Sequence, residues 1–105
     1  MTKPAPKNKV VLVLMKSPEA DATLSVVRAD APDVAIEDHA TYWTLTHPRE
    51  IVIDIDKVSE DLGEPIALSD WLVVMSSFVG RAETEPRRFR VTTDMLGLTP
   101  QSIPA

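Results

Sequence analysis

In this sequence of 105 residues, the side chains best suited to chemistry are His39, His47, a group of carboxylates around Asp54, and four arginines between positions 81 and 90. Two metal ligands on one helix must stand three or four residues apart. His39 instead follows Glu37 and Asp38 directly, and His47 precedes Pro48, so both read as turn residues. Asp54, Asp56 and Glu60 loosely suggest a calcium loop. The sixth position of that loop is Ser59, however, where the sharp turn requires glycine. On an alternating strand, Asp54 and Asp56 would simply share the solvated face. With no cysteine there is no disulfide, thiolate nucleophile, or Cys-ligated zinc or iron–sulfur cluster. Three glycines supply neither a phosphate-cradling loop nor a GxSxG elbow. No set of nucleophile, base and orienting group can be named, so the expectation is no catalytic residue, no metal and no cofactor. Arg81, Arg87, Arg88 and Arg90 admit two uses, guarding a hairpin edge with charge or docking on an acidic or polar protein surface.

The elements that would position these residues follow from patterning. Positions 9–15 (KVVLVLM) form a continuous aliphatic run, which predicts a strand covered on both faces. Ser17 offers a capping oxygen, Pro18 suits the first helical position, and Ala20, Leu24, Val27 and Ala31 share one face. These features predict a helix over 18–30. Short strands over 34–38 and 42–46 can pair as a hairpin, and the alternation of Ile51, Ile53 and Ile55 predicts a strand over 50–56. A short helix over 57–62 stops at Gly63. Ser69 is placed to cap a third helix running through the apolar stretch 71–75 and closing over 76–80. Residues 81–83 and 88–92 then flank a turn at 85–87, and Met95 and Leu96 can add a final helical turn. Trp43 and Trp71 are expected as core anchors, because the chain has only five aromatic side chains. This order predicts a single α+β domain with a mixed β-sheet of short strands, about three helices, βαββ-type units and a C-terminal hairpin. Proline-bearing tails over 1–8 and 99–105 would flank a domain over 9–98.

Charge narrows the partners. The net charge is −5, and residues 17–70 hold 13 acidic against three basic side chains. An acidic face of this kind disfavours nucleic acid and anionic membranes. The apolar run Val10–Met15 is six residues long, too short for a signal-peptide core or a membrane span, which predicts a cytoplasmic protein.

The segment 69–98 (SDWLVVMSSFVGRAETEPRRFRVTTDMLGL) resembles the effector proteins of bacterial multicomponent soluble di-iron monooxygenases. That family includes the regulatory component B of methane monooxygenase and the activators of phenol and toluene monooxygenases. Its most specific feature here is the junction Ser76, Ser77, Phe78, Val79, Gly80 and Arg81. The segments 11–22 (VLVLMKSPEADA), 36–42 (IEDHATY) and 51–65 look like the corresponding family segments. The resemblance implies a protein without cofactor or catalytic residues that docks on a di-iron hydroxylase, reshapes its active-site entrance and helps couple use of electrons from a reductase to hydrocarbon oxygenation. It also places the six junction residues at the partner. Without it, the same six read as a helix end packed in the core, its polar side chains satisfying carbonyls. Only eight residues precede the first predicted strand, closer to the phenol and toluene activators than to the long arm of the methane type, which the C-terminal half resembles more. A different class, a small-ligand-sensing α+β regulatory domain, would instead show a concave apolar pocket with a few polar groups.

Overall fold

The computed structural model describes residues 9–93. β1 (Val10–Met15) is followed by α1 (Pro18–Asp30), the hairpin of β2 (Ala35–Asp38) and β3 (Tyr42–His47), and β4 (Glu50–Asp54). Next come α2 (Ile55–Leu62), α3 (Leu68–Val74), β5 (Met75–Val79), and the hairpin of β6 (Arg81–Glu85) and β7 (Arg88–Thr92).

The α+β class, the three helices and both hairpins stand as the sequence predicts. In place of one mixed sheet there are two sheets, ordered β2-β3-β1-β5 and β4-β7-β6. Every pair in both is antiparallel. The reason lies in α1, whose chain returns through β2 to the outer edge, so that β3 meets β1 and runs against it. The described residues also cover β1 on one face only. Val10, Leu12 and Leu14 are fully buried, whereas Val11 and Val13 are half-buried and Met15 is exposed.

Local capping explains the helix starts. Ser17 Oγ accepts the Ala20 N–H at 3.0 Å, as the sequence predicts. Asp54 Oδ1 accepts the N–H groups of Asp56 and Lys57, so the chain turns helical at Ile55 instead of continuing as a strand to residue 56. Asp54 and Asp56 are therefore a helix cap and a first-turn carboxylate, not a solvated strand face. Gly63 ends α2 with a left-handed φ of 88°. Helix α3 starts one residue before Ser69, and its cap position is Ala67, whose N–H is accepted by Asp70 Oδ2 at 2.8 Å. It stops at Val74, where residues 75–79 leave the helix to pair with β1.

Both sheets and α1–α3 share one core. Trp71 is fully buried and donates its indole N–H to Thr23 Oγ1 at 2.9 Å, while Thr23 donates to the Glu19 carbonyl at 2.7 Å. Both polar groups are thus satisfied inside the core. Trp43 is only half-buried, packed at the core margin with the Lys16 ammonium 4.8 Å from its ring centre. The suggested helical turn at Met95 and Leu96 and both tails lie outside the described residues.

Candidate docking surface

Ser76, Ser77, Phe78 and Val79 lie on a strand edge, and Gly80 links them to Arg81, the first residue of β6 in the other sheet. β5 is the terminal strand of the four-stranded sheet, so one side of its backbone is unpaired within that sheet. In the ladder with β1, Ser77 faces Val13 and Met75 faces Leu14, which leaves Ser76 as the extra residue of a β-bulge. A bulge disrupts the ladder locally and re-aims a side chain. Here it exposes Ser76 and Ser77 as neighbours, where a regular strand would send them to opposite faces. The helix end predicted at 76–80 is thus replaced by a bulged edge strand, because β1 supplies the backbone partners that a further helical turn would have supplied.

Phe78 and Val79 project differently. Phe78 lies opposite Leu12, on the core side, and remains 39% exposed. Its ring meets Phe89 edge-on at 6.0 Å, and Phe89 meets Trp71 at 5.2 Å, so Phe78 is the outer end of an aromatic chain rooted in the core. Val79 lies opposite Val11, on the uncovered face, and is 56% exposed.

Gly80 carries the chain from the first sheet into the second. Its φ is 134°, and an added Cβ would stand 2.8 Å from the Thr92 carbonyl oxygen and 2.8 Å from Val91. The glycine is required twice over, by conformation and by close approach.

Arg81 follows at once and is exposed. The other three arginines of the hairpin are engaged within the fold. Arg87 binds Asp56 at 2.8 Å and the Ile66 carbonyl at 2.9 Å. Arg88 binds Glu85 at 2.6 Å. Arg90 binds Glu50 at 2.9 Å and Glu83 at 3.0 Å, and those carboxylates push its guanidinium above the ordinary value. Among the described residues Arg81 makes no ion pair, so its charge is available to an acidic or polar partner surface. Arg88 and Arg90 lie on β7, the central strand of its sheet, and Arg87 in the turn before it, so of the four only Arg81, on β6, stands on a sheet edge.

The histidines do structural work. His47 is buried at the end of β3, and its Nδ1 accepts the N–H groups of Arg49 and Glu50 at 3.0 and 3.2 Å, which holds the turn into β4. Its Nε2 stands 2.9 Å from Asp33, and that hydrogen bond holds the Asp33 carboxyl below the usual range. His39 stacks on Tyr42 at 4.5 Å in the β2–β3 turn. Among the described residues, no group of three His, Asp or Glu is placed to hold a metal ion. A half-open groove of about 480 Å³ is walled by residues that include Asp33, His47, Asp54 and Arg88. Val27, Ala31, Val34, Ile51 and Val52 line it as well, so its walls mix charged and apolar groups, unlike the predominantly apolar pocket of a small-molecule sensor. No helix among the described residues is long and apolar enough to cross a membrane.

Three comparisons place this geometry among known proteins. The model of the MmoB/DmpM family matches residues 8–92. Methane monooxygenase regulatory protein B of Methylosinus trichosporium is 40% identical over 96 residues, covering 87% of this chain and 70% of that protein. The structure of the soluble methane monooxygenase regulatory protein B superposes with a TM-score of 0.70 at 35% identity, covering 93% of this chain and 72% of that one. A chain of a phenol hydroxylase–regulatory protein complex shares the fold, with a TM-score of 0.72 at 18% identity over 80% of this chain and 97% of that chain. A match that takes in both sheets, all three helices and the glycine crossover between the sheets leaves one assignment: the chain belongs to the MmoB/DmpM family.

Proposed function

We propose that this protein is the non-catalytic effector of a multicomponent monooxygenase, a cytoplasmic component that docks on the di-iron hydroxylase and couples electron delivery to hydrocarbon oxygenation. The observation that carries this reading is the exposed junction at the end of the first sheet, where the edge strand β5 presents Ser76 at a bulge, Ser77 beside it and the partly exposed Phe78 ring, and Arg81 follows across Gly80 with no ion pair among the described residues. Forty per cent identity to a regulatory protein B supports it. The effector domain spans residues 9–98, and Ser76, Ser77, Phe78, Val79, Gly80 and Arg81 face the partner.

The mechanism is a shift of population. A docked protein changes its partner only if it binds one conformation more tightly than another, and a coupling of about 1 to 3 kcal/mol is the usual scale. Ser76 and Ser77 can exchange hydrogen bonds with water for hydrogen bonds with the hydroxylase, and Phe78 contributes apolar contact. Arg81 adds a charge that steers encounter.

The test is a set of junction variants. Phe78→Ala is expected to weaken docking by about 1 to 3 kcal/mol. It also costs some fold stability, because the contact with Phe89 is lost. Ser76→Val and Ser77→Val should keep the fold and instead change the product distribution and the ratio of reductant consumed to product formed. Affinity, circular dichroism and product analysis separate these effects. Unchanged affinity and products in all three variants, with intact folds, would remove the junction from the interface.

A further inference from the structure

Strand β1 is apolar on both sides, yet among the described residues only one side is covered. Val10, Leu12 and Leu14 enter the core, whereas Val11 and Val13 take no part in it. A strand that is hydrophobic on both faces is normally covered on both. In register, this face includes two cross-strand rows, Ala35–Thr46–Val11–Val79 and Glu37–Thr44–Val13–Ser77. Met15, 44% exposed, extends it beside Tyr42. Apart from Glu37 on the outer strand β2, these positions carry no charge, in a protein whose residues 17–70 hold 13 acidic side chains. A patch of threonines and valines with its charge at the outer strand shares the charge depletion of an interface core, and Met15 adds a side chain that interfaces favour.

Ser77 and Val79 belong both to this face and to the junction, so the two surfaces are continuous across the β1–β5 ladder. We infer that the outer face of the β2-β3-β1-β5 sheet is the body of the hydroxylase-docking surface, with the β5 junction as one margin of it. This inference rests on the effector reading given above. It adds Val11, Val13, Met15 and Thr46 as contact residues and commits the second face of β1 to the hydroxylase.

The experiment measures hydroxylase affinity for the wild-type protein, Met15→Glu, Thr46→Glu and, as a control, Val52→Glu. Val52 is 40% exposed on β4, in the other sheet. Met15→Glu and Thr46→Glu should each weaken binding at least about tenfold, since a charge would be carried into a dry contact, while Val52→Glu binds as wild type. A measurement without variants runs alongside. Oxidation of Met15 by peroxide, read by peptide mass spectrometry, should proceed in the free protein and be suppressed in the complex. Wild-type affinity in both glutamate variants, or Met15 oxidised equally fast in the complex, overturns the inference. If Phe78→Ala still binds weakly in that case, the junction reading stands. Failure of the wild-type protein itself to bind overturns both. A wild-type dimer that Met15→Glu converts to monomer would assign the face to a second copy and likewise overturn the inference.

Discussion

Gly80→Val should lower the stability of the fold by about 3 kcal/mol, a sum of positive-φ strain and overpacking. The left-handed φ of 134° is one cause, and the approach of a new Cβ to within 2.8 Å of the Thr92 backbone oxygen is the other. The first cause acts on any side chain, so Gly80→Ala should show a large part of the loss. The second cannot be relieved by rotating a side chain, because the Thr92 atom is main chain in the β6–β7 ladder. For a domain of this size the loss corresponds to a fall in Tm of roughly 12 °C or more. Thermal unfolding followed by circular dichroism checks it, and a wild-type Tm for Gly80→Val would show that the crossover between the sheets tolerates a side chain.

Trp71→Ala is expected to be more damaging still, about 3 to 5 kcal/mol, by removal of the largest fully buried side chain. The indole fills the space between α3 and Phe89, and its N–H is a hydrogen bond that Thr23 accepts inside the core. Domains of this kind are stable by only about 5 to 15 kcal/mol, so a substantial unfolded fraction at 37 °C is the expected result. Trp71→Phe keeps most of the volume and loses the hydrogen bond, and should cost about 1 to 2 kcal/mol. Denaturant titration distinguishes the two. Equal midpoints for Trp71→Ala and Trp71→Phe would mean that the cavity is not the source of the loss.

Much of this fold is legible in the sequence because its signals are local. Ser17, Pro18 and Glu19 mark the start of α1 through a cap whose partners lie within three residues, and Gly63 marks the end of α2 for the same reason. The errors fall where a long-range partner decides. Residues 75–79 have the composition of a helix end, and only the presence of β1 makes them a strand. The bulge at Ser76 has no signature of its own, since it is a mismatch between two strands about sixty residues apart in the chain. Asp54 caps α2, but the isoleucine alternation through Ile55 reads as a continuing strand and hides the early start of that helix. The family resemblance selected the six junction residues. It gave no sign that Phe78 turns toward Phe89 while Val79 turns outward, and so did not point to Val11 and Val13 as their neighbours.

The effector role is tested most directly by titrating this protein into the di-iron hydroxylase in the presence of its reductase, with binding and product formation followed in the same series. Saturable binding tighter than about 100 μM is the expected result, accompanied by a change in the product formed per reductant consumed that saturates along the same curve. Absence of binding at that concentration, or binding that leaves turnover and coupling unchanged, would contradict it.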